Sequence, residues 1–101
     1  KLEEAEISTR KAIELNPNFI EAHSNLGDIL INQGKLKEAE ISTRKVIELN
    51  PNFVEAYSNL GIILRALGNL EEARICSKKI ISMRSWSILG SYSFNHEMKL
   101  D

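Results

Sequence analysis

The 101-residue sequence contains a single cysteine, two prolines and only 6% aromatic residues. One cysteine cannot form an internal disulfide, and no stretch reaches the roughly 18 apolar residues that a transmembrane helix needs. No excess of basic residues is present either, because 13 lysines and arginines balance 14 acidic residues. Generic binding to the phosphate backbone of nucleic acids is therefore not expected. These absences predict one small soluble domain in a reducing, cytoplasmic compartment.

An internal repeat dominates the sequence. The segment LNPNFIEAHSNLG at residues 15–27 recurs 34 residues later as LNPNFVEAYSNLG. When residues 1–34 are aligned with residues 35–68, eight of the 34 positions differ and 26 are identical. The second half of the unit occurs a third time, as LEEARICSKKII at residues 70–81. A period of this length indicates stacked structural units.

The repeat contains start and stop signals for helices. Asn16-Pro17 and Asn50-Pro51 each offer a capping side chain followed by a proline suited to the first turn of a helix. Gly34 and Gly68 can adopt the left-handed conformation that ends a helix. Apolar residues then recur at helical spacing rather than in the alternation of a strand. Helices are predicted over residues 2–15, 18–33, 36–49, 52–67 and 70–83.

Two glycines lie inside predicted helices, where each costs about 1 kcal/mol relative to alanine. They are Gly27 and Gly61, at equivalent positions of the two units. Their recurrence in register indicates that the missing side chain lets the next helix approach closely. Ala39 and Ala73 are expected to provide the small facing surface. The alternative is that glycine is merely tolerated at both positions.

At this point the sequence resembles the tetratricopeptide repeat (TPR) family, whose 34-residue unit carries Leu-Gly, a small Ala and a closing Pro at set spacings. The resemblance implies an all-α fold, a right-handed superhelical solenoid of antiparallel helix pairs. The chain then divides into a half repeat at 1–16, full repeats at 17–50 and 51–84, and a non-repeat tail at 85–101. The matching residues are Leu26-Gly27, Ala39 and Pro51 in one unit, and Leu60-Gly61 and Ala73 in the next.

Few residues in the sequence could carry catalysis or hold a metal. His23, Cys76 and His96 are its only histidines and cysteine, and their spacing matches no metal-binding motif. His23 occupies an aromatic packing position of the repeat, and Cys76 replaces Ser42 of the preceding unit, so both are expected to be structural. No phosphate-binding loop, HExxH motif or nucleophile elbow is present. We therefore predict a protein that is not an enzyme and has no cofactor and no metal.

Sequence differences between the units are concentrated in the first helix, since six of the eight mismatches fall within residues 20–33. In the family that the sequence resembles, first helices line the concave face of the superhelix and contact peptide segments. The alternative is that these positions vary because solvent tolerates any side chain. The resemblance implies a peptide-binding groove formed by Glu21, Ser24, Asn25, Asp28, Asn32, Glu55, Ser58, Asn59, Ile62 and Arg65.

The charges of the first helices suggest the chemistry of the partner. Residues 18–33 contain two acids and no base, and residues 52–67 contain one of each, so the charges sum to -2. Glu21 and Glu55 also occupy a place where family members that grip a C-terminal carboxylate carry lysine. The predicted partner is therefore a protein or peptide segment that is neutral or basic. Neither a nucleic acid nor a membrane is expected as a partner.

The composition changes at Ser85, where SWSILGSYSF alternates serine with apolar residues. Three of the six aromatic residues lie within 85–101. The period of two suggests a short strand or hairpin of a following segment, and an irregular cap over the end of the helix at 70–83 is the favoured alternative. Gly90 and the serines argue against a long continuation of that helix.

Two other functions stay open at this level. The helix at 2–15 has no preceding partner helix, so a stripe of five apolar residues on it would be exposed. Self-assembly into a homo-oligomer would cover that stripe. The chain, which is expected to be a piece of a longer protein, could also be an accessory or targeting segment of a larger enzyme. The stripe consists of Leu2, Ala5, Ile7, Ala12 and Leu15.

Overall fold

The computed structural model of the protein describes the backbone of residues 1–100 and the side chains of residues 1–85. Over this part of the chain, five helices follow one another without a strand. Each helix packs against the next one along the chain, and α2 also contacts α4. The prediction of an all-α solenoid of antiparallel helix pairs is confirmed. The helices are α1 (Leu2–Leu15), α2 (Ile20–Asn32), α3 (Leu36–Leu49), α4 (Val54–Ala66) and α5 (Leu70–Leu100).

The starts of α2 and α4 differ from the prediction. Asn16 does not cap α2, because its Oδ1 accepts a hydrogen bond from the backbone N–H of Asn18 at 3.3 Å. This bond closes an Asx turn with Pro17 at its centre. The helix itself begins at Ile20, after Phe19. The equivalent bond before α4 measures 3.1 Å, so the asparagine and proline form a turn in both repeats.

The ends of α2 and α4 follow the prediction. Gly34 and Gly68 have φ angles of 77° and 86°, in the left-handed region that glycine tolerates without steric cost. After α2, the N–H of Lys35 donates to the carbonyl of Leu30 at 2.9 Å, and the N–H of Gly34 donates to that of Ile31 at 3.0 Å. These two bonds form a Schellman motif, which satisfies the last carbonyls of the helix. The same motif follows α4.

Two apolar clusters form the core, and one residue links the repeats through them. Ile63 belongs to α4 but is fully buried in the cluster of the preceding repeat. Successive repeats therefore share a continuous core rather than having separate ones. The first cluster contains Leu26, Leu30, Ala39 and Ile63, and the second contains Leu60, Leu64, Ala73 and Cys76.

Gly27 allows a close helix approach, but its neighbour differs from the prediction. A Cβ placed on Gly27 would lie 3.0 Å from Thr43 Oγ1 and 3.9 Å from Ser42 Cβ on α3. Ala39, the predicted neighbour, packs in the first apolar cluster instead. The facing residue therefore lies one turn further along α3 than expected.

Gly61 has more room. A Cβ at this position would lie 3.6 Å from Cys76 Cβ and 3.8 Å from the carbonyl oxygen of Ala73. These are ordinary contact distances, and Ala73 makes its contact through the backbone rather than through the small side chain that was expected to face the glycine. The two glycines are thus equivalent in sequence but not in packing.

Ion pairs link the second helices of successive repeats on the outer side of the solenoid. Arg10 Nη2 of α1 lies 3.1 Å from Glu38 Oε2 of α3, and Arg44 Nη2 of α3 lies 3.1 Å from Glu72 Oε2 of α5. Each arginine also pairs with a glutamate one turn back in its own helix. These pairs are exposed, so each contributes at most about 1 kcal/mol. They connect each second helix to the next one along the chain.

Helix α1 lacks the cover that its copy α3 has. No residue of α1 is buried, whereas four residues of α3 are. Leu2 and Leu15 are exposed, as predicted for the uncovered stripe. Ile7 does not belong to that stripe, because it is 70% exposed and its equivalent Ile41, in a helix with neighbours on both sides, is 71% exposed. Ile7 points outward because of its place in the repeat.

The last helix continues well past the predicted end at residue 83. Because α5 extends to Leu100, the predicted strand, hairpin or irregular cap is wrong for residues 85–100. Serine and glycine lower helix propensity only modestly, and extending an existing helix avoids the cost of nucleation. Despite this length, no helix in the described part of the chain combines the length and apolarity needed to cross a bilayer.

Replacing Gly61 with Ala should stabilise the protein by up to about 1 kcal/mol, because the helix gains propensity and the new Cβ makes an ordinary contact with Cys76. Gly27→Ala should gain less or lose stability, since Thr43 Oγ1 lies 3.0 Å from the new Cβ and must move. Urea unfolding followed by circular dichroism measures both variants. Equal stabilisation by the two substitutions would contradict the close approach at Gly27.

Candidate functional site

The exposed side of α2 and α4 contains all ten residues predicted to form the groove. The opposite side of each helix is buried, because its residues pack into the two apolar clusters. Two of the ten side chains, Ser24 and Asn59, are half-buried, and the other eight are exposed. We call this surface the α2–α4 face. It consists of Glu21, Ser24, Asn25, Asp28 and Asn32 of α2 and Glu55, Ser58, Asn59, Ile62 and Arg65 of α4.

One hydrogen bond crosses the α2–α4 face between its helices. Asn59 Nδ2 donates to Asp28 Oδ1 at 3.0 Å. The two residues belong to different repeats, and both belong to the set predicted for the groove. An ionised carboxylate has a second oxygen, so Asp28 can accept further bonds from a ligand. The bond therefore holds two candidate ligand-binding groups in one place.

The Asp28 carboxyl is electrostatically unsatisfied. Partial burial raises its pKa above the ordinary value for aspartate, the hydrogen bond from Asn59 opposes this rise, and the negative charge of Glu55 adds to it. Burial and a neighbouring like charge both disfavour the ionised form. A cationic group brought to this place by a ligand would relieve both effects.

Within residues 1–85, the acids of the α2–α4 face are unusual in having no basic partner. Twelve of the 14 acidic residues lie within residues 1–85. Eight of those twelve form ion pairs in the described part of the chain. The four that do not are Glu3, Glu21, Asp28 and Glu55, and three of these lie on the α2–α4 face. The negative charge of this face is therefore available to a partner.

The face changes character between the two repeats. Ile62, which is 49% exposed, is the repeat equivalent of Asp28. The first repeat thus presents a carboxylate where the second presents an apolar side chain. Arg65 lies one turn further along α4 and forms no ion pair within residues 1–85. A ligand lying along the face would meet acidic, apolar and basic groups in turn.

His23 and Cys76 occupy packed positions, as predicted. His23 is buried, and its Nε2 lies 2.7 Å from the Pro17 carbonyl oxygen, which requires a proton on Nε2. Burial raises the pKa of the Cys76 thiol, with smaller opposing effects of Arg44 and Glu72, so this thiol is protonated at neutral pH. No three histidine, cysteine or acidic side chains come together as metal ligands among the described residues.

Two clefts on the opposite side of α2 and α4 were not predicted. The first, of about 440 Å³, lies between α1 and α3, and the second, of about 380 Å³, lies between α3 and α5. One signal in the sequence could have revealed these clefts. An isoleucine recurs every 34 residues, at positions 7, 41 and 75, on a side of each helix that is not buried. Equivalent residues line both clefts: Ile13, Leu26 and Ile41 in the first, and Ile47, Leu60 and Ile75 in the second.

Comparison with known proteins agrees with this architecture. A family profile described as tetratricopeptide repeat matches residues 9–41 and 43–75. The crystal structure of MamA is similar with a TM-score of 0.79 and 25% identity, covering 82% of this chain and 48% of that one. The crystal structure of YrrB is described as that of a TPR protein with an unusual peptide-binding site. It is similar with a TM-score of 0.72 and 30% identity, and the match covers 86% of this chain and 45% of that one.

The chain therefore spans about half the length of both matched structures. Comparison with curated proteins by sequence gives no significant match. The two segments matched by the family profile include the second half of α1, nearly all of α2 to α4 and the first part of α5.

Replacing Asp28 with Asn should raise stability at neutral pH by less than about 1 kcal/mol. The amide can still accept the bond from Asn59, while the partly buried charge beside Glu55 is removed. Because the pKa of Asp28 is higher in the folded than in the unfolded chain, acidification favours the folded wild-type protein at this site. The advantage of the variant should therefore shrink as the pH falls through that pKa.

Thermal unfolding of both proteins from neutral to acidic pH measures this effect. Ser24→Ala is the matched control, since Ser24 lies on the same face of α2 and carries no charge. A variant that is less stable than the wild type at neutral pH would show that the Asp28 charge is favourably held.

Proposed function

This chain belongs to the tetratricopeptide repeat family, and from that premise we propose that it is a non-enzymatic scaffold for protein–protein interaction. It binds a peptide segment of its partner along the α2–α4 face, which corresponds to the concave groove of the family. The similarity to YrrB, which is described as having a peptide-binding site, supports this proposal. The family consists in general of interaction modules rather than enzymes.

The observation that carries the proposal is the unpaired negative charge on the α2–α4 face. Acids elsewhere within residues 1–85 are neutralised by neighbouring bases, with Glu3 as the exception, whereas Glu21, Asp28 and Glu55 are not. Charge on an exposed face attracts partners of opposite sign and discriminates against those of like sign. The preferred partner segment is therefore neutral or basic, with a lysine or arginine close to Asp28 and Glu55.

Amide and apolar groups on the same face complement the charges. Asn25 is exposed and Asn59 lies beside Asp28, and a side-chain amide can both donate to and accept from the backbone of an extended peptide. Such bonds give affinity without requiring a particular peptide sequence. Ile62 offers a contact for one apolar side chain, and Arg65 offers a donor to a carbonyl or carboxylate further along.

The alternative role, as an accessory or targeting segment of a larger enzyme, would use this same face to hold a substrate protein. Catalysis would then come from another part of a longer protein. Peptide binding on the α2–α4 face is therefore the property to test in both cases.

Replacing Asn25 and Asn59 together with Ala should weaken peptide capture while leaving helicity and the melting temperature nearly unchanged. Each lost hydrogen bond to a peptide is expected to cost about 1 kcal/mol, so the combined loss is roughly tenfold or more in affinity. An array of immobilised peptides with fixed apolar residues and net charges from acidic to basic provides the measurement. Wild-type protein should favour the basic peptides, and raising the salt concentration should reduce this preference.

The matched control is the double variant Asn18→Ala and Asn52→Ala. These asparagines are also exposed and 34 residues apart, but they lie in the turns before α2 and α4. This variant should capture peptides as the wild type does. Unchanged capture by the Asn25 and Asn59 variant would show that the α2–α4 face is not the binding surface, and a preference for acidic peptides would overturn the charge assignment.

A further inference from the structure

The α2–α4 face has one half that is the same in both repeats and one half that differs. Near its start, each of the two helices carries the same glutamate, serine and asparagine. These residues are Glu21, Ser24 and Asn25 in α2, and Glu55, Ser58 and Asn59 in α4. A peptide held only by the identical half could lie over either repeat with equivalent contacts. The identical half therefore cannot fix the position of a ligand along the solenoid.

The other half of the face, near the end of each helix, differs in charge and polarity. Asp28 is replaced by Ile62 in the second repeat, and Ile31, which packs against the first apolar cluster, is replaced by the exposed Arg65. Within α2 and α4, both of which the structure describes in full, Ile62 is the only large apolar side chain that is exposed. Arg65 is the only base of these two helices. The second repeat therefore offers two groups that the first repeat lacks.

The side chains of Asp28, Ile62 and Arg65 follow one another along the face. Asp28 is bonded to Asn59 of α4 at 3.0 Å. Ile62 lies three residues after Asn59, and Arg65 lies three residues after Ile62. Residues three apart on a helix are neighbours, with Cβ atoms about 5–6 Å apart. The face thus presents an acidic, an apolar and a basic group at successive steps of about one helical turn.

An extended peptide matches this spacing. Its side chains alternate between two sides and it rises about 3.3 Å per residue, so every second residue faces the same side at steps of about 6.6 Å. Three alternate residues of such a peptide therefore reach the three groups in turn. The complementary ligand groups are a lysine or arginine opposite Asp28, an apolar side chain opposite Ile62, and an aspartate or glutamate opposite Arg65.

Each of the three groups gains from a ligand of this kind. The Asp28 carboxyl is partly buried beside Glu55, which raises its pKa, and a basic side chain of the ligand would offset both effects. Arg65 forms no ion pair within residues 1–85, so its charge is available to an acid of the ligand. Ile62 is 49% exposed, and an apolar side chain placed on it would remove that surface from water.

We propose that the partner segment carries a basic, an apolar and an acidic residue at alternate positions, and that Asp28, Ile62 and Arg65 fix its register on the α2–α4 face. This inference rests on the proposed function, because it names the peptide that the same face binds. A shift of the peptide by one repeat would place its basic residue over Ile62 instead of Asp28, so the ion pair would be lost. The charges specify the order of the side chains and not the direction of the peptide backbone.

Peptides of one composition separate the order of the side chains from the net charge. Each carries one lysine, one leucine and one glutamate at alternate positions with serine between them, and the set contains every order of the three. Fluorescence anisotropy of labelled peptides measures their binding to the 101-residue chain. At least one of the two orders with leucine in the centre should bind roughly tenfold more tightly than the orders with lysine or glutamate there.

Two substitutions test which residue contacts which part of the peptide. Arg65→Glu should change the preferred peptide from lysine–leucine–glutamate to lysine–leucine–lysine, because the charge at one end of the site is reversed. Ile62→Asp, which gives α4 the residue of α2, should favour lysine over leucine in the centre. Lys37→Glu makes the same change of charge on α3, away from the face, and should keep the wild-type preference. All three positions are exposed, so helicity should be unchanged.

The outcomes distinguish this proposal from the proposed function. Equal affinity for every order, or a preference that Arg65→Glu leaves unchanged, would overturn the register. The binding face itself would then stand or fall with the Asn25 and Asn59 double variant. Binding of the basic peptides of the array without binding of any lysine–leucine–glutamate peptide would also overturn the register alone. A wild type that binds neither set of peptides would overturn both.

Discussion

The burial of Ile63 is the interaction on which the rest of the structure depends. This residue belongs to α4, yet it packs with Leu26, Leu30 and Ala39 in the cluster of the preceding repeat. A single helix pair cannot bury its own apolar side, so each repeat completes the core of its neighbour. Helix α1, which has a neighbour on one side only, has no buried residue at all. Stability in this chain therefore comes from contact between repeats.

Because the core is built between repeats, two parts of the surface differ in how freely their residues can vary. These parts are the outer side of the second helices and the exposed side of α2 and α4. The second helices α1 and α3 are nearly identical in sequence, and their exposed charges pair with one another along the outer side. The exposed side of α2 and α4 contributes little to the core and differs more between repeats. Asp28 in one repeat and Ile62 in the next show how one position can offer a charge or an apolar contact without altering the fold. Binding specificity can vary there at little cost in stability.

The sequence predicted best those features that depend on neighbouring residues. Gly34 and Gly68 end their helices as expected, because a left-handed residue is needed there and glycine adopts it without strain. Asn16 shows the limit of such signals, since an asparagine before a proline suits a helix cap and an Asx turn equally well. The continuation of α5 past residue 83 shows the same limit, because modest losses in helix propensity do not stop an existing helix.

The sequence by itself determined the repeat and the five helices, because periodicity assigns each residue to a side of its own helix. The resemblance to a repeat family then indicated which side of α2 and α4 carries the candidate site. Only the tertiary structure decided which residues meet across helices. It joined Asp28 to Asn59, placed Thr43 rather than Ala39 against Gly27, and left three acids of the α2–α4 face without a base within residues 1–85. These contacts depend on the angle and register at which helices pack, and helical periodicity contains no information about either.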